Sequence, residues 1–361
     1  MEIKNWLFLI VIFLCSCEEG EMPLTNESEP ERNFRMGFSS WTFGPTLEDQ
    51  AATYAFIQSN GDILSEQVDD RIPWLAWIKD DPLPGDFVAD IERRARLIDP
   101  SLQLVLSVSP LNTDRDNLIE DWSGEQISYD MLSDEVIADA YYKHLVYLVE
   151  KFDPDYLIAA MEVNNIWFSS PVRWVEFKLL MENVRGRLRE RFPLLKISES
   201  VALHNFYRAQ VEDPTLFQQE VTDYADQMDF VAVSFYPFFQ GMQSVREYQD
   251  ALDFLHRRIS KPVAFVETSH LSEELMISAL NINIPGDTTA QREYLEVLLA
   301  NAELHQYEFT IWWTHRDYDA LWETFPADTK AVGKIWRDTG LLDENGNERP
   351  AFRVWEEYYG R

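Results

Sequence analysis

The stretches YLIAAMEVNN (156–165) and KPVAFVETSH (261–270) decide how this chain folds. Each contains a run of apolar residues without polar alternation. A glutamate closes each run, Glu162 in the first and Glu267 in the second. A continuous apolar run of this length reads as a strand buried on both faces, as in a parallel sheet covered by helices. A carboxylate at the C-terminal end of such a strand leaves the core and enters the mouth of the sheet.

The same pattern continues outward along the chain. Strand-like runs occur at 35–41, 61–67, 102–109, 156–162, 195–201, 229–236, 262–268 and 308–314. Helical stretches lie between them. In 133–152, Ile137, Tyr141, Leu145, Leu148 and Phe152 recur at helical spacing. Ser133 is the expected N-cap there, with Asp134 and Glu135 at the positive end of the dipole and Pro154 past the stop. Residues 172–192 place Trp174, Phe177, Leu180, Val184 and Leu188 on one face, and 243–259 and 289–305 are two further helices. Eight strand–helix repeats predict an α/β fold, a single (β/α)8 TIM barrel over residues 36–361 with some long loops. An open doubly wound sheet usually carries a Gly-rich phosphate turn after its first strand, and GFSSWTFGP (37–45) does not match one. Residues 340–359 read as a turn and a closing helix.

The charge narrows the partners. The 361 residues carry 63 acidic and 31 basic side chains, a formal charge of −32. Such a surface argues against nucleic acid as a partner, which needs a basic footprint, and against electrostatic docking on anionic lipid. Both cysteines, Cys15 and Cys17, lie at the very start, so no disulfide or thiolate metal site is expected in the body.

The N-terminus reads as an address. Lys4 precedes the apolar run WLFLIVIFL (6–14), followed by Cys15, Ser16 and Cys17. This is the layout of a secretory signal, and the run is too short to span a membrane. The string LCSC (14–17) resembles a bacterial lipobox, which implies cleavage after residue 16 and a lipid on Cys17. Residues 17–35 are acidic and rich in turn formers and read as a disordered tether. Acidic residues directly after the lipidated Cys resemble the surface-export signal of some Gram-negative lipoproteins. The expected location is therefore the outer membrane, facing outward, with the membrane touched only through the lipid anchor.

Two carboxylates at strand ends are the minimum equipment for hydrolysing a glycosidic bond. In a retaining enzyme they stand about 5–5.5 Å apart, one protonating the leaving oxygen and the other attacking the anomeric carbon. Glu162 ends the fourth predicted strand and Glu267 the seventh, which face each other across a barrel mouth. No HExxH, phosphate loop, CxxC pair or GxSxG elbow is present, so no cofactor or metal is expected and a serine esterase is disfavoured. Trp41, Trp167, His204, Asn205, His270 and His315 lie at or just after strand ends, where a sugar chain would be bound.

Three segments carry a family resemblance. DFVAVSFYPFFQG (229–241), KPVAFVET (261–268) and AAMEVNN (159–165) resemble, in the right order, strand segments of the endo-β-1,4-galactanases of glycoside hydrolase clan A, which cut arabinogalactan. The resemblance implies that Glu162 is the acid/base and Glu267 the nucleophile. It also implies that Tyr236 hydrogen-bonds the nucleophile and that a Trp at the end of strand eight lies under the sugar. Of Trp312 and Trp313, the expectation is Trp312. Arg71 is a further candidate, for orienting Glu267. The sequence departs from the family pattern at Met161, where the family has an Asn that commonly bonds the sugar 2-hydroxyl; Asn164 and Asn165 are the nearest amides. Two readings follow: a retaining hydrolase of β-1,4-galactan or another polysaccharide, or a non-catalytic glycan-binding lipoprotein on the same barrel.

Overall fold

The structure, a computed structural model, describes residues 32–361. The signal segment, Cys17 and the tether up to residue 31 lie outside the described residues. Residues 32–35, read above as the end of the tether, belong to the barrel: Arg32 bonds Asp62, Phe34 is buried and Arg35 begins the first strand. Among the described residues no helix is long and apolar enough to cross a membrane.

Eight parallel strands close into a barrel. They are β1 (Arg35–Ser39), β2 (Ile63–Val68), β3 (Gln103–Val108), β4 (Tyr156–Ile158), β5 (Lys196–Ser198 and Ser200–Ala202), β6 (Val231–Phe235), β7 (Val263–Thr268) and β8 (Phe309–Trp312). Strand β5 is broken at Glu199; its first half pairs with β4 and its second with β6, and β8 pairs with β1 to complete the ring. Each strand is followed by a helix: α1 (Leu47–Asn60), α2 (Gly85–Leu97), α3 (Glu135–Phe152), α4 (Pro171–Arg191), α5 (Pro214–Ala225), α6 (Val245–Arg258), α7 (Thr288–His305) and α8 (Pro350–Tyr359).

Strand alternation divides the core in two. Ile63, Val105, Tyr156, Ile158, Ala232, Ala264, Phe309 and Ile311 fill the barrel interior. Their neighbours Leu64, Leu104, Leu106, Leu157, Val231, Val233 and Phe265 face the helices. This is why the strands read as unbroken apolar runs. Where β1 meets β2, a Cβ on Gly37 would run into the Ile63 carbonyl, so only glycine permits this approach.

Local chemistry sets the helix starts. Thr46 and Asp49 form a capping box on α1, and Ser170, Ser244 and Asp287 cap α4, α6 and α7 through their side chains. At α3 the expected cap is displaced by one residue. Asp134 rather than Ser133 holds the N-cap position, and its carboxylate accepts from the Asp130 and Met131 amides, tying down the incoming loop.

Candidate active site

The C-terminal ends of the strands open into a cleft of about 670 Å³ containing both Glu162 and Glu267. Neither reaches it by simple alternation. Along β7, Ala264 and Val266 point into the barrel and Phe265 points out, so Glu267 should point out as well. A bulge prevents this. Against β6 the register passes from Val233↔Phe265 to Ser234↔Glu267, and against β8 from Thr310↔Phe265 to Trp312↔Thr268. The extra residue in β7 turns Glu267 inward, as bulges beside active sites commonly do.

Glu162 arrives by a different device. The β4 ladder continues through Ala159 and Ala160, and the chain then turns at Glu162 with a left-handed φ of 52°. That conformation costs a non-glycine residue roughly 1–2 kcal/mol. Two serines hold it. The Glu162 amide donates to Ser200 Oγ at 2.9 Å, and Ser234 Oγ donates to Glu162 Oε1 at 2.8 Å. Ser234 is also the register partner of Glu267, so one small residue on β6 places the two carboxyls together.

Both Glu267 oxygens accept hydrogen bonds, Oε1 from the Tyr236 hydroxyl and Oε2 from Gln67 Nε2 at 3.4 Å. Burial and the neighbouring Glu162 carboxyl push Glu267 up, to about 8, against the pull of the Tyr236 hydroxyl and of Arg115. Burial and the Glu267 carboxylate push the Tyr236 phenol upward, so it remains a donor.

The walls differ in chemistry. On the β8–β1 side stand Trp41, Trp313, Tyr318, Phe325 and Trp336. The Trp41 ring lies 5.1 Å from that of Trp313 and 5.7 Å from that of Tyr318. On the β2–β3 side stand Asp69, Asp70, Arg71, Asn112, Arg115 and Glu120. Met161 lies in the floor, at the top of the interior cluster.

Several expected residues are placed here and others are not. Trp41 lines the cleft, and the Tyr236 hydroxyl donates to Glu267. Trp312 does not line the cleft: Phe309 and Ile311 face inward, so Trp312 packs outward against Tyr294 and donates to the Thr339 carbonyl at 3.0 Å, while Trp313 lines the cleft. Asn164 is consumed by the backbone, its amide bonding both the N–H and the C=O of Ala202. Trp167 packs on Phe217 away from the cleft lining. Arg71 lines the wall but lies 3.4 Å from Glu120; the partner of Glu267 is Gln67. His204 is buried beside Phe239, and burial holds it down to about 4 against the attraction of Glu162, so its ring is neutral.

Sequence reasoning missed Gln67, Asp69, Arg115, Ser200, Ser234 and Trp336. The serines had a faint signal, being small polar residues within otherwise apolar strands. Arg115 had none, since it sits in a long loop. A second cavity of about 690 Å³ lies at the N-terminal ends of the strands, lined in part by Arg35, Tyr156, Lys196 and Glu308. Its Lys196 and Glu308 are paired at 2.8 Å, the structural role expected at that end of a barrel.

A sequence model of glycosyl hydrolase family 53 matches residues 170–355, from α4 to α8 and including Glu267. The chain belongs to that family. It is therefore a glycoside hydrolase acting on polysaccharide. Among solved structures, this family 53 member resembles the GH53 catalytic domain of Ignisphaera aggregans at 16% identity and a TM-score of 0.59, over 91% of this chain and 96% of the other. It also resembles a fungal β-1,4-galactanase at 16% identity and a TM-score of 0.54, over 85% and 90% of the two chains. A point variant of a GH5_18 protein from Bifidobacterium longum subsp. longum, in complex with Manβ1-4GlcNAc, superposes with a TM-score of 0.66 at 13% identity, over 91% and 78%. At these identities the likeness is one of fold. Among curated proteins no sequence matches.

Proposed function

We propose that this family 53 member is a retaining endo-β-1,4-galactanase in which Glu162 is the acid/base and Glu267 the nucleophile. The observation that carries this reading is the β7 bulge, which turns Glu267 into the cleft beside a Glu162 anchored to the same serine. In the first step Glu162 protonates the leaving glycosidic oxygen while Glu267 attacks the anomeric carbon, forming a glycosyl ester. In the second, Glu162 takes a proton from water, whose oxygen displaces Glu267. Turnover needs Glu162 protonated and Glu267 ionised, so the pair must carry a single proton. Below the pH at which Glu267 loses its proton the nucleophile is blocked. The acidic limb of activity should therefore lie above the ordinary carboxylate range.

The aromatic wall suits stacking on sugar faces. The cleft sets five acids, Asp69, Asp70, Glu120, Glu162 and Glu267, against two bases, Arg71 and Arg115, which favours an uncharged glycan. The resemblance to β-1,4-galactanases makes galactan the substrate of choice. Release of new reducing ends from β-1,4-galactan, with none from polygalacturonate, is the expected result. Glu162→Ala should lower turnover by about 10²–10⁴-fold, and Glu267→Ala should abolish it, with both variants keeping wild-type circular dichroism. Wild-type activity in either variant would refute its assignment. We infer further that Cys17 carries a lipid; Cys17→Ser should move the protein from the membrane to the soluble fraction on expression in a Gram-negative host.

A further inference from the structure

Arg115 sits in the segment between β3 and α3 in a strained backbone conformation. Its φ is 56°, left-handed, and the residue is only 9% exposed. The surrounding loop is tied in place. Asn112 accepts the Asp116 amide on Oδ1 at 3.1 Å and donates to the Asp116 carboxylate at 2.7 Å, while its own amide donates to the Asn117 carbonyl at 2.9 Å. Leu111 and Leu118 pair as a short antiparallel bridge. The outcome is a guanidinium aimed at the catalytic pair. One terminal nitrogen donates to the Asn112 carbonyl at 3.0 Å, and the other lies 3.7 Å from Glu162 Oε2. Nε is buried without a partner.

A strained backbone and a buried cation both oppose folding, and such costs gather at functional sites. The carboxyls facing this cation are Glu162 after β4, Glu267 on β7 and Asp69 after β2; Tyr236 after β6 bonds Glu267, Asp70 acts on Asp69, and neutral His204 after β5 feels Glu162. Arg94 of α2 also reaches Asp69, and on the same wall Arg71 and Glu120 neutralise one another. Arg115 is thus the cation shared by Asp69, Glu162 and Glu267. Without it, Glu162 and Glu267 would repel one another with no cation beside them, and Asp69 would keep only Arg94.

We propose that Arg115 is a positioning residue: it holds Glu162 through Oε2 and sets the pH window in which the carboxyl pair carries a single proton. The proposal rests on the assignment of Glu162 and Glu267 made above. A cation stabilises ionised carboxylates, so its removal delays the loss of each proton from the pair, and both limbs of the pH profile move to higher pH. In Arg115→Gln the bell of kcat/KM on galactan should shift upward as a whole by about one pH unit or more. In Arg115→Lys it should stay at the wild-type position with a lower maximum, because a single ammonium keeps the charge but not the geometry. A Gln variant whose bell stays in place at reduced height, or a Lys variant displaced upward, overturns the proposal; the Lys variant decides alone if the Gln variant does not fold. Glu267→Gln is measured in parallel. If it is inactive at every pH while the Arg115→Gln bell does not move, only the role of Arg115 falls. If it is active, the assignment beneath falls instead.

Discussion

At the scale of the residue, two adjacent tryptophans show how one position separates the core from the cleft. Trp312 points out of the barrel and is almost wholly buried, with its indole N–H on the Thr339 carbonyl; Trp313 points into the cleft beside Trp41. Their truncations should therefore fail differently. Trp312→Ala leaves a large cavity between sheet and helix and should cost about 3–5 kcal/mol of stability, read as a fall in the urea midpoint, with KM little changed in the surviving folded protein. Trp313→Ala should raise KM about tenfold, the equivalent of about 1.4 kcal/mol, with a smaller loss of stability. The opposite pattern would mean that the sugar lies on another wall. The inward side was legible in principle, because Phe309, Ile311 and Trp313 share one parity. Glu267 shows the limit of that rule. Its presence at a strand end was legible, but parity alone sends it outward, and the bulge that reverses it depends on registry with β6 and β8. Asn164 shows a second limit: an amide beside Glu162 looks available in sequence and is spent on Ala202.

At the scale of the element, strand and helix order was legible because each strand buries both faces and each helix one. The loops that build the cleft were not, since they are held by pairings between residues distant in sequence. The connection from β8 to α8 is the clearest case. Asp317 accepts the Gly340 amide at 2.8 Å and both terminal nitrogens of Arg349, at 2.8 and 2.7 Å, and Arg349 also reaches the Gly340 carbonyl and Glu273 after β7. Next to Gly340, the Thr339 hydroxyl bonds the Trp313 carbonyl at 3.0 Å. This buried clasp therefore fixes the aromatic wall. Burial pushes Asp317 up to about 7 even against Arg349, so losing the guanidinium would leave a carboxyl with no strong partner. Arg349→Ala should cost about 3–5 kcal/mol, seen by chemical denaturation, and should raise KM as Trp313 loses its support. A variant as stable as wild type would show that the clasp is not what orders this loop.

At the scale of the whole molecule, the surplus of acid is the dominant long-range force. With 63 carboxylate-bearing residues and 31 basic ones, the net charge is −32 even if every base were paired with an acid. Such a charge keeps the protein soluble and disfavours anionic glycans, but it also repels itself and works against the compact state. Salt acts on two terms of opposite sign. It weakens exposed ion pairs such as Arg246–Asp250 and Arg257–Asp253, which contribute about 0–1 kcal/mol each. It also screens repulsion among the surplus carboxylates, whose range shrinks from about 30 Å at 0.01 M to about 10 Å at 0.1 M. The buried pairs Arg185–Glu199 and Arg349–Asp317 are shielded from both effects. Because exposed pairs are individually weak and the repulsion sums over many unpaired charges, screening should win. Raising NaCl from 0.01 to 0.5 M should raise the melting temperature by about 2 °C or more, a gain of about 1 kcal/mol for a domain of this size. A melting temperature that falls with salt would mean that the surface ion pairs outweigh the repulsion. The folded surface would then have to place its excess charges far enough apart to escape it.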